Sequence, residues 1–376
     1  MGVLPAEQLA RRSRLCGIER PLRVRHDYAL GTQRNRLVQL DPVDNIITEL
    51  IAERQTLMID GAMGTELFAR GLTAGDPPET WNIDHPEKVI DIHQKYIDAG
   101  SDVILTNSFG GTAFRLKLHK LDNQVFEINK AAAMVAREAA DASDRKVIVA
   151  GSMGPSGELL EPMGDMTPET AATAFAAQAE GLAAGGADIL WIETMSSLEE
   201  VEAAIIGARR VTDLPITATL SFDTAGRTMM GVTGTEVAER LTAVGVAAVG
   251  ANCGNNVADT EAAVIAIKAG AGDTPVIVKA NAGVPEFKGD KLVYSGSAEV
   301  MGSHVKRMVA AGIEIIGGCC GTSTEHLYYM RGVIDGAVDA PDIPAPGPAP
   351  ADDDGDDAAE RGRARSERQS RRRRRS

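Results

Sequence analysis

Between residues 46 and 338 the chain alternates short apolar runs with longer segments of helical period. The runs are TLMID (56–60), DVILTN (102–107), KVIVAGS (146–152) and DILWIET (188–194), then PITATLSF (215–222), VAAVGAN (246–252), PVIVKAN (275–281) and IEIIGG (313–318). Their hydrophobicity is close to continuous, as expected of strands buried on both faces, and such strands belong to parallel sheets. Intervening segments such as PEKVIDIHQKYIDAG, TPETAATAFAAQAEGLAAGG and SAEVMGSHVKRMVAAG begin at Pro, Ser or Thr and end at Gly. That is the asymmetry of helix ends. Eight strand–helix units predict a (β/α)8 TIM barrel over residues 46–340, in α/β class. The alternative is a doubly wound sheet. No dinucleotide fingerprint follows the first run, and GSMGPSG (151–157) has the wrong spacing for a phosphate loop.

The flanks have another character. Residues 1–37 carry eight Arg against Glu7, Glu19 and Asp27, and residues 352–376 carry nine Arg against seven acids, ending in RRRRR. With APDIPAPGPAPADDDGDD leading into it, the segment 341–376 reads as a disordered Pro/Asp/Arg-rich tail, and residues 1–45 as an N-terminal extension. The whole chain has a net charge of −14, so the part between these basic ends is more acidic still. An acidic barrel argues against nucleic acid as its partner.

No run of about 18 apolar residues is present, so no membrane span is expected. The first thirty residues lack the apolar core of a secretion signal. Four cysteines in 376 residues do not make a disulfide framework. A cytoplasmic protein with reduced thiols is expected.

Three of those cysteines stand at strand exits: Cys253 in GANCGNN beyond the sixth run, and Cys319 and Cys320 in GGCCGT beyond the eighth. In a barrel the chemistry gathers where these exits converge. Neighbouring residues on a strand face opposite ways, but Gly317, Gly318 and Gly321 permit a turn that sends two adjacent thiols to one point. Three thiolates from two loops would hold one zinc ion with a fourth position open, the arrangement of catalytic zinc. Small buried core residues, a vicinal disulfide, or a phosphate cradle built from these glycines are the other readings.

Taken together, DGAMGTEL (60–67), GANCG (250–254), NAGVP (281–285) and GGCCGT (317–322) resemble the homocysteine S-methyltransferase family, which includes betaine–homocysteine methyltransferases and the homocysteine-binding domain of cobalamin-dependent methionine synthase. The resemblance spans roughly residues 50–335. It implies a homocysteine-binding (β/α)8 barrel with Cys253, Cys319 and Cys320 as ligands of one Zn2+ per chain. It also places Asp60 and Glu193, at the ends of the first and fourth runs, on the homocysteine amino group. The implied reaction moves a methyl group to the homocysteine sulfur and yields methionine.

A free thiol is mostly protonated at neutral pH, whereas a metal deprotonates it outright. No histidine base is then needed, and His93, His119, His304 and His326 read as helix or loop residues. The turn Gly61–Gly64 would offer N–H groups to the substrate carboxylate, and TNSFGGT (106–112) would help wall the pocket. Asn281 is expected either at the fourth metal position or behind the ligands. Betaine or a methylated corrinoid protein is the expected donor, with a sulfonium such as S-methylmethionine as the alternative. Trp81 is the aromatic residue best placed to receive a quaternary ammonium. Two further readings are a Schiff-base lyase using Lys279 and a non-catalytic homocysteine- or zinc-binding regulator.

Overall fold

The computed structural model describes residues 45–345 except 224–225, 284 and 289–290. The expected extension and most of the expected tail lie outside these residues. Eight strands form one parallel sheet: β1 (Leu57–Met58), β2 (Val103–Leu105), β3 (Ile148–Met153), β4 (Ile189–Met195), β5 (Ile216–Leu220), β6 (Ala248–Cys253), β7 (Val276–Ala280) and β10 (Ile315–Gly318). Their order is β1-β10-β7-β6-β5-β4-β3-β2. A parallel bridge between Ile59 and Val103 joins β1 to β2 and closes the ring. Helices alternate with the strands, so the expected (β/α)8 TIM barrel is the observed one. Two more strands, β8 (Pro285–Lys288) and β9 (Lys291–Tyr294), pair as an antiparallel hairpin outside the barrel sheet. That hairpin is not among the predicted elements. Its strands are short and half polar, and only the intervening Gly–Asp pair marks it in the sequence.

The continuous apolar runs follow from burial on both faces. Ile189 and Trp191 of β4, Ile148 of β3, Ile277 of β7 and Ile315 of β10 pack into one interior cluster with Ile47 and Leu50 of the helix Ile46–Arg54. Leu190, Ile192, Val276 and Val278, the alternate residues, pack in the larger cluster shared with the helices. Burying each such side chain contributes about 1.5–3 kcal/mol.

Helix starts fall where the sequence places them. Thr167 accepts a hydrogen bond from Thr170 N–H to begin Pro168–Ala184, and Ser297 accepts from Val300 N–H to begin Ala298–Ala310. Helix Pro86–Asp98 begins at its proline. Contacts of the described chain run a little past 340: the backbone oxygens of Pro341 and Ile343 accept from Ser303 and Arg307 of helix Ala298–Ala310.

Candidate metal and substrate site

Interior strand positions alternate, and the same parity that points Ile189, Trp191, Ile277 and Ile315 inward predicts Glu193, Lys279 and Cys319 as the next interior residues. At the carboxyl ends of the strands the interior therefore changes from apolar to polar. The sulfurs of Cys253, Cys319 and Cys320 lie within 4.8 Å of one another. Cys253 Sγ and Cys320 Sγ are 3.9 Å apart.

Backbone geometry answers how two adjacent cysteines reach one point. β10 ends at Gly318, and Cys319 N–H donates to the Ala280 carbonyl at the end of β7. Asn281, next in line after β7, spans the two cysteine loops. Its amide nitrogen donates to Gly254 O at 2.7 Å, and its amide oxygen accepts from Cys320 N–H at 3.0 Å. Gly321 then turns with φ +78, in the left-handed region. A side chain there would also collide with the ring of Tyr294, 2.3 Å from where its Cβ would stand. On the other loop Cys253 itself is left-handed, with φ +62. For a non-glycine residue that costs about 1–3 kcal/mol and is found where the surroundings over-determine it.

As free thiols the three are strongly unequal. Cys320 is driven well down because the Cys253 and Cys319 thiols donate to it, with help from the Tyr294 hydroxyl and the Lys279 charge. Cys253 is driven up, first by its hydrogen bonds to the other two thiols and then by burial. A cluster that concentrates negative charge on sulfur suits a thiophilic cation. Three cysteine sulfurs with no carboxylate or imidazole among them fit zinc with one position left for a further ligand.

Around the thiols stand the acidic residues. Glu193 is buried and accepts a hydrogen bond from Ser152 Oγ. β4 bulges at this point: Ile192 pairs with Ala218 and Met195 with Leu220, so Glu193 and Thr194 together face Thr219 alone. Bulges of this kind re-aim side chains beside active sites. Thr194 carries the bulge in a left-handed conformation, φ +61. Asn252 secures it: Thr194 N–H donates to Asn252 Oδ1 at 2.8 Å and Asn252 Nδ2 donates to Thr194 Oγ1 at 2.7 Å. The same Nδ2 lies 3.9 Å from Cys319 Sγ.

Asp60 accepts from Leu105 N–H at 2.7 Å through one oxygen and faces Lys279 Nζ at 3.5 Å with the other. Burial pushes its pKa up to about 6 against the pull of Lys279. Burial raises Glu193 too, with Lys279 opposing and Cys319 reinforcing. Burial alone would discharge Lys279, but Asp60, Glu193 and Cys319 outweigh it and hold the ammonium charged.

Asp60, Glu193, Asn281 and the three cysteines thus all belong to the C-terminal rim. Gly61 belongs there for a packing reason: a Cβ would stand 2.6 Å from the Thr322 carbonyl oxygen and 3.1 Å from the Tyr96 ring. Phe109, within TNSFGGT, is partly exposed and lies against Gly154 of the loop after β3. Trp81 is buried in the core, with its ring under Lys88 Nζ at 4.4 Å and edge-on to His85. His93, His304 and His326 lie on helices and His119 in a turn. Four residues of the site escaped the sequence reading: Ser152, Asn252 and Tyr294 altogether, and Lys279 in its role as a counter-ion. Strand parity points to Ser152, Asn252 and Lys279; only the hairpin brings Tyr294 in.

The profile of the homocysteine S-methyltransferase family matches residues 57–334. Methionine synthase of Mycobacterium tuberculosis (strain ATCC 25618 / H37Rv) is 30% identical over 309 residues, which cover 77% of this chain and 25% of that protein. Methionine synthase of Mycobacterium leprae (strain TN) is 30% identical over 317 residues, covering 78% and 26%. The chain thus spans about a quarter of the length of these relatives. Among solved structures, the homocysteine methyltransferase MmuM of Escherichia coli in its oxidized form is 26% identical with a TM-score of 0.66, over 77% of this chain and 99% of that one. Its metallated form, at 24% identity and TM-score 0.66, shares the fold.

Proposed function

The chain belongs to the homocysteine S-methyltransferase family, and from that premise we propose that it transfers a methyl group to the sulfur of L-homocysteine, forming methionine, with zinc as its metal. The observation that carries this reading is the convergence of three thiols on one point of a rim that also holds two buried carboxylates.

In this reading Cys253, Cys319 and Cys320 hold one zinc ion per chain, which would keep the substrate sulfur in its nucleophilic thiolate form. The residues of the chain do the rest. Asn281 holds the two cysteine loops in register through its bonds to Gly254 and Cys320. Asp60 and Glu193 receive the substrate ammonium, each as a charge-assisted hydrogen-bond acceptor. Gly61 lets the first strand's exit lie close to the Thr322 backbone, so the loop after β10 and the loop after β1 share one wall.

The donor is betaine or a methylated corrinoid protein, and a sulfonium such as S-methylmethionine is the alternative. The barrel itself needs neither nucleic acid nor a membrane, and free thiols suit the reducing cytoplasm. Among the described residues no helix is long and apolar enough to cross a membrane.

Purified, zinc-loaded protein should form methionine from homocysteine when supplied with one of betaine, a methylated corrinoid protein or S-methylmethionine. Which donor supports turnover assigns the branch. Homocysteine binding without methionine from any donor would replace the enzyme by a binding protein, and absence of binding would refute the reading outright.

A further inference from the structure

Lys279 is the buried group at the rim that the proposed reaction leaves without a task. It is 3% exposed, stands on β7 one residue from Ala280, and reaches Asp60 Oδ1 at 3.5 Å. Glu193 and Cys319 act on it from β4 and from the loop after β10. A fully buried ammonium is costly to keep, so its presence among two carboxylates and a thiol cluster calls for a reason.

Resting on the homocysteine reading above, we propose that Lys279 is a positioning residue for amino-acid recognition: a built-in cation that keeps Asp60 ionised in the pocket, so that the site still lacks one positive charge and takes it from the substrate ammonium. Asp60, Glu193 and Lys279 alone sum to −1. An ammonium group placed against the two carboxylates offsets that local charge, and a simple thiol offers none. The long Asp60–Lys279 contact leaves the carboxylate with acceptor capacity for a second cation, since Leu105 N–H occupies the other oxygen.

The groups facing Asp60 are Lys279 from β7, Glu193 from β4, Leu105 N–H from β2 and the Tyr96 hydroxyl from helix Pro86–Asp98. Of these, Lys279 is the one cation. Burial already brings Asp60 to about 6 with Lys279 in place. Removing the lysine leaves burial and Glu193 to push it higher, so near neutral pH more of the carboxylate is protonated and unable to pair with an ammonium. Raising the pH restores it.

The test uses zinc-loaded full-length protein and the variants Lys279→Met and Lys279→Gln. Homocysteine binding is measured by calorimetry from pH 6.5 to 8.5, with propanethiol as the acceptor lacking an ammonium group and metal analysis in parallel. At pH 7 each variant should bind homocysteine about tenfold more weakly, because a larger share of Asp60 is then protonated. The deficit should shrink as pH rises, with propanethiol binding and zinc content unchanged. Lys279→Gln, which keeps a hydrogen-bond donor, guards against a folding failure of Lys279→Met. Wild-type affinity in the variants, or a loss equal at every pH, would overturn the role of Lys279. Failure of the wild-type protein to bind homocysteine would instead strike the proposed function.

Discussion

Asn252 and Thr194 are tied by two hydrogen bonds, 2.8 Å from the Thr194 N–H and 2.7 Å to its hydroxyl. The pair joins β6 to the bulge of β4. Thr194 is left-handed and shares that bulge with Glu193. Asn252 therefore holds a strained backbone next to an acidic side chain of the proposed pocket. Replacing Asn252 by Ala strips both bonds from a part-buried site. The expected loss of stability is about 2 kcal/mol, the order of one buried polar group left unsatisfied. Urea denaturation measures it, and a change under about 0.5 kcal/mol, the range of ordinary surface substitutions, would show that the bulge supports itself.

The proposed metal centre makes a sharper demand. With three sulfurs within 4.8 Å, loss of any one leaves two protein ligands, too few for the tetrahedral site. The proposed function expects one zinc ion per chain in the wild type, and metal analysis of Cys253→Ala and of Cys319→Ala should each show near-complete loss of it. Full stoichiometry in either variant would remove that cysteine from the ligand set.

In the proposed function Glu193 separates substrate recognition from metal binding. Its removal should leave the thiol cluster assembled while depriving the substrate ammonium of a charge-assisted hydrogen bond, roughly 1.5–3 kcal/mol. Glu193→Gln is thus expected to weaken homocysteine binding by about tenfold to a hundredfold. An alkylthiol without the amino group should lose little. If both acceptors suffer alike, the carboxylate acts on the thiol instead.

His93 ties stability to pH. It is fully buried on helix Pro86–Asp98, neither ring nitrogen has a hydrogen-bond partner, and burial lowers its pKa to about 4 from 6.5. Between those values the unfolded chain binds a proton that the folded one refuses, so stability rises with pH across this window and falls as pH drops through it. The full effect of that shift is about 3 kcal/mol, from 1.36 kcal/mol per unit. His93→Leu should flatten this part of the stability profile, as read from denaturation midpoints between pH 7 and pH 4. An unchanged slope would show that His93 gains a proton without unfolding.

The barrel was readable because its strands are buried on both faces and therefore continuously apolar, and because Thr167, Ser297 and Pro86 mark helix starts by local chemistry alone. The cysteines were readable for a related reason. A barrel presents every strand exit on one face, so Cys253, Cys319 and Cys320 could be assigned to the same rim before any coordinate was known. The sequence by itself thus determined the fold and the face on which the chemistry stands. What it left open depends on contacts between residues far apart in the chain. The sequence marks Asn281 only as a residue at or behind the metal position and does not single out Asn252, until their partners across the barrel appear. The turn of Cys253 and Thr194 into left-handed backbone is imposed by neighbouring strands, since neither residue prefers it. Lys279 reads from the sequence as a candidate Schiff-base lysine, and only closure of the ring sets it against Asp60 from 219 positions earlier. Charge balance in a buried pocket is a sum over several strands, so it was decided by the tertiary structure.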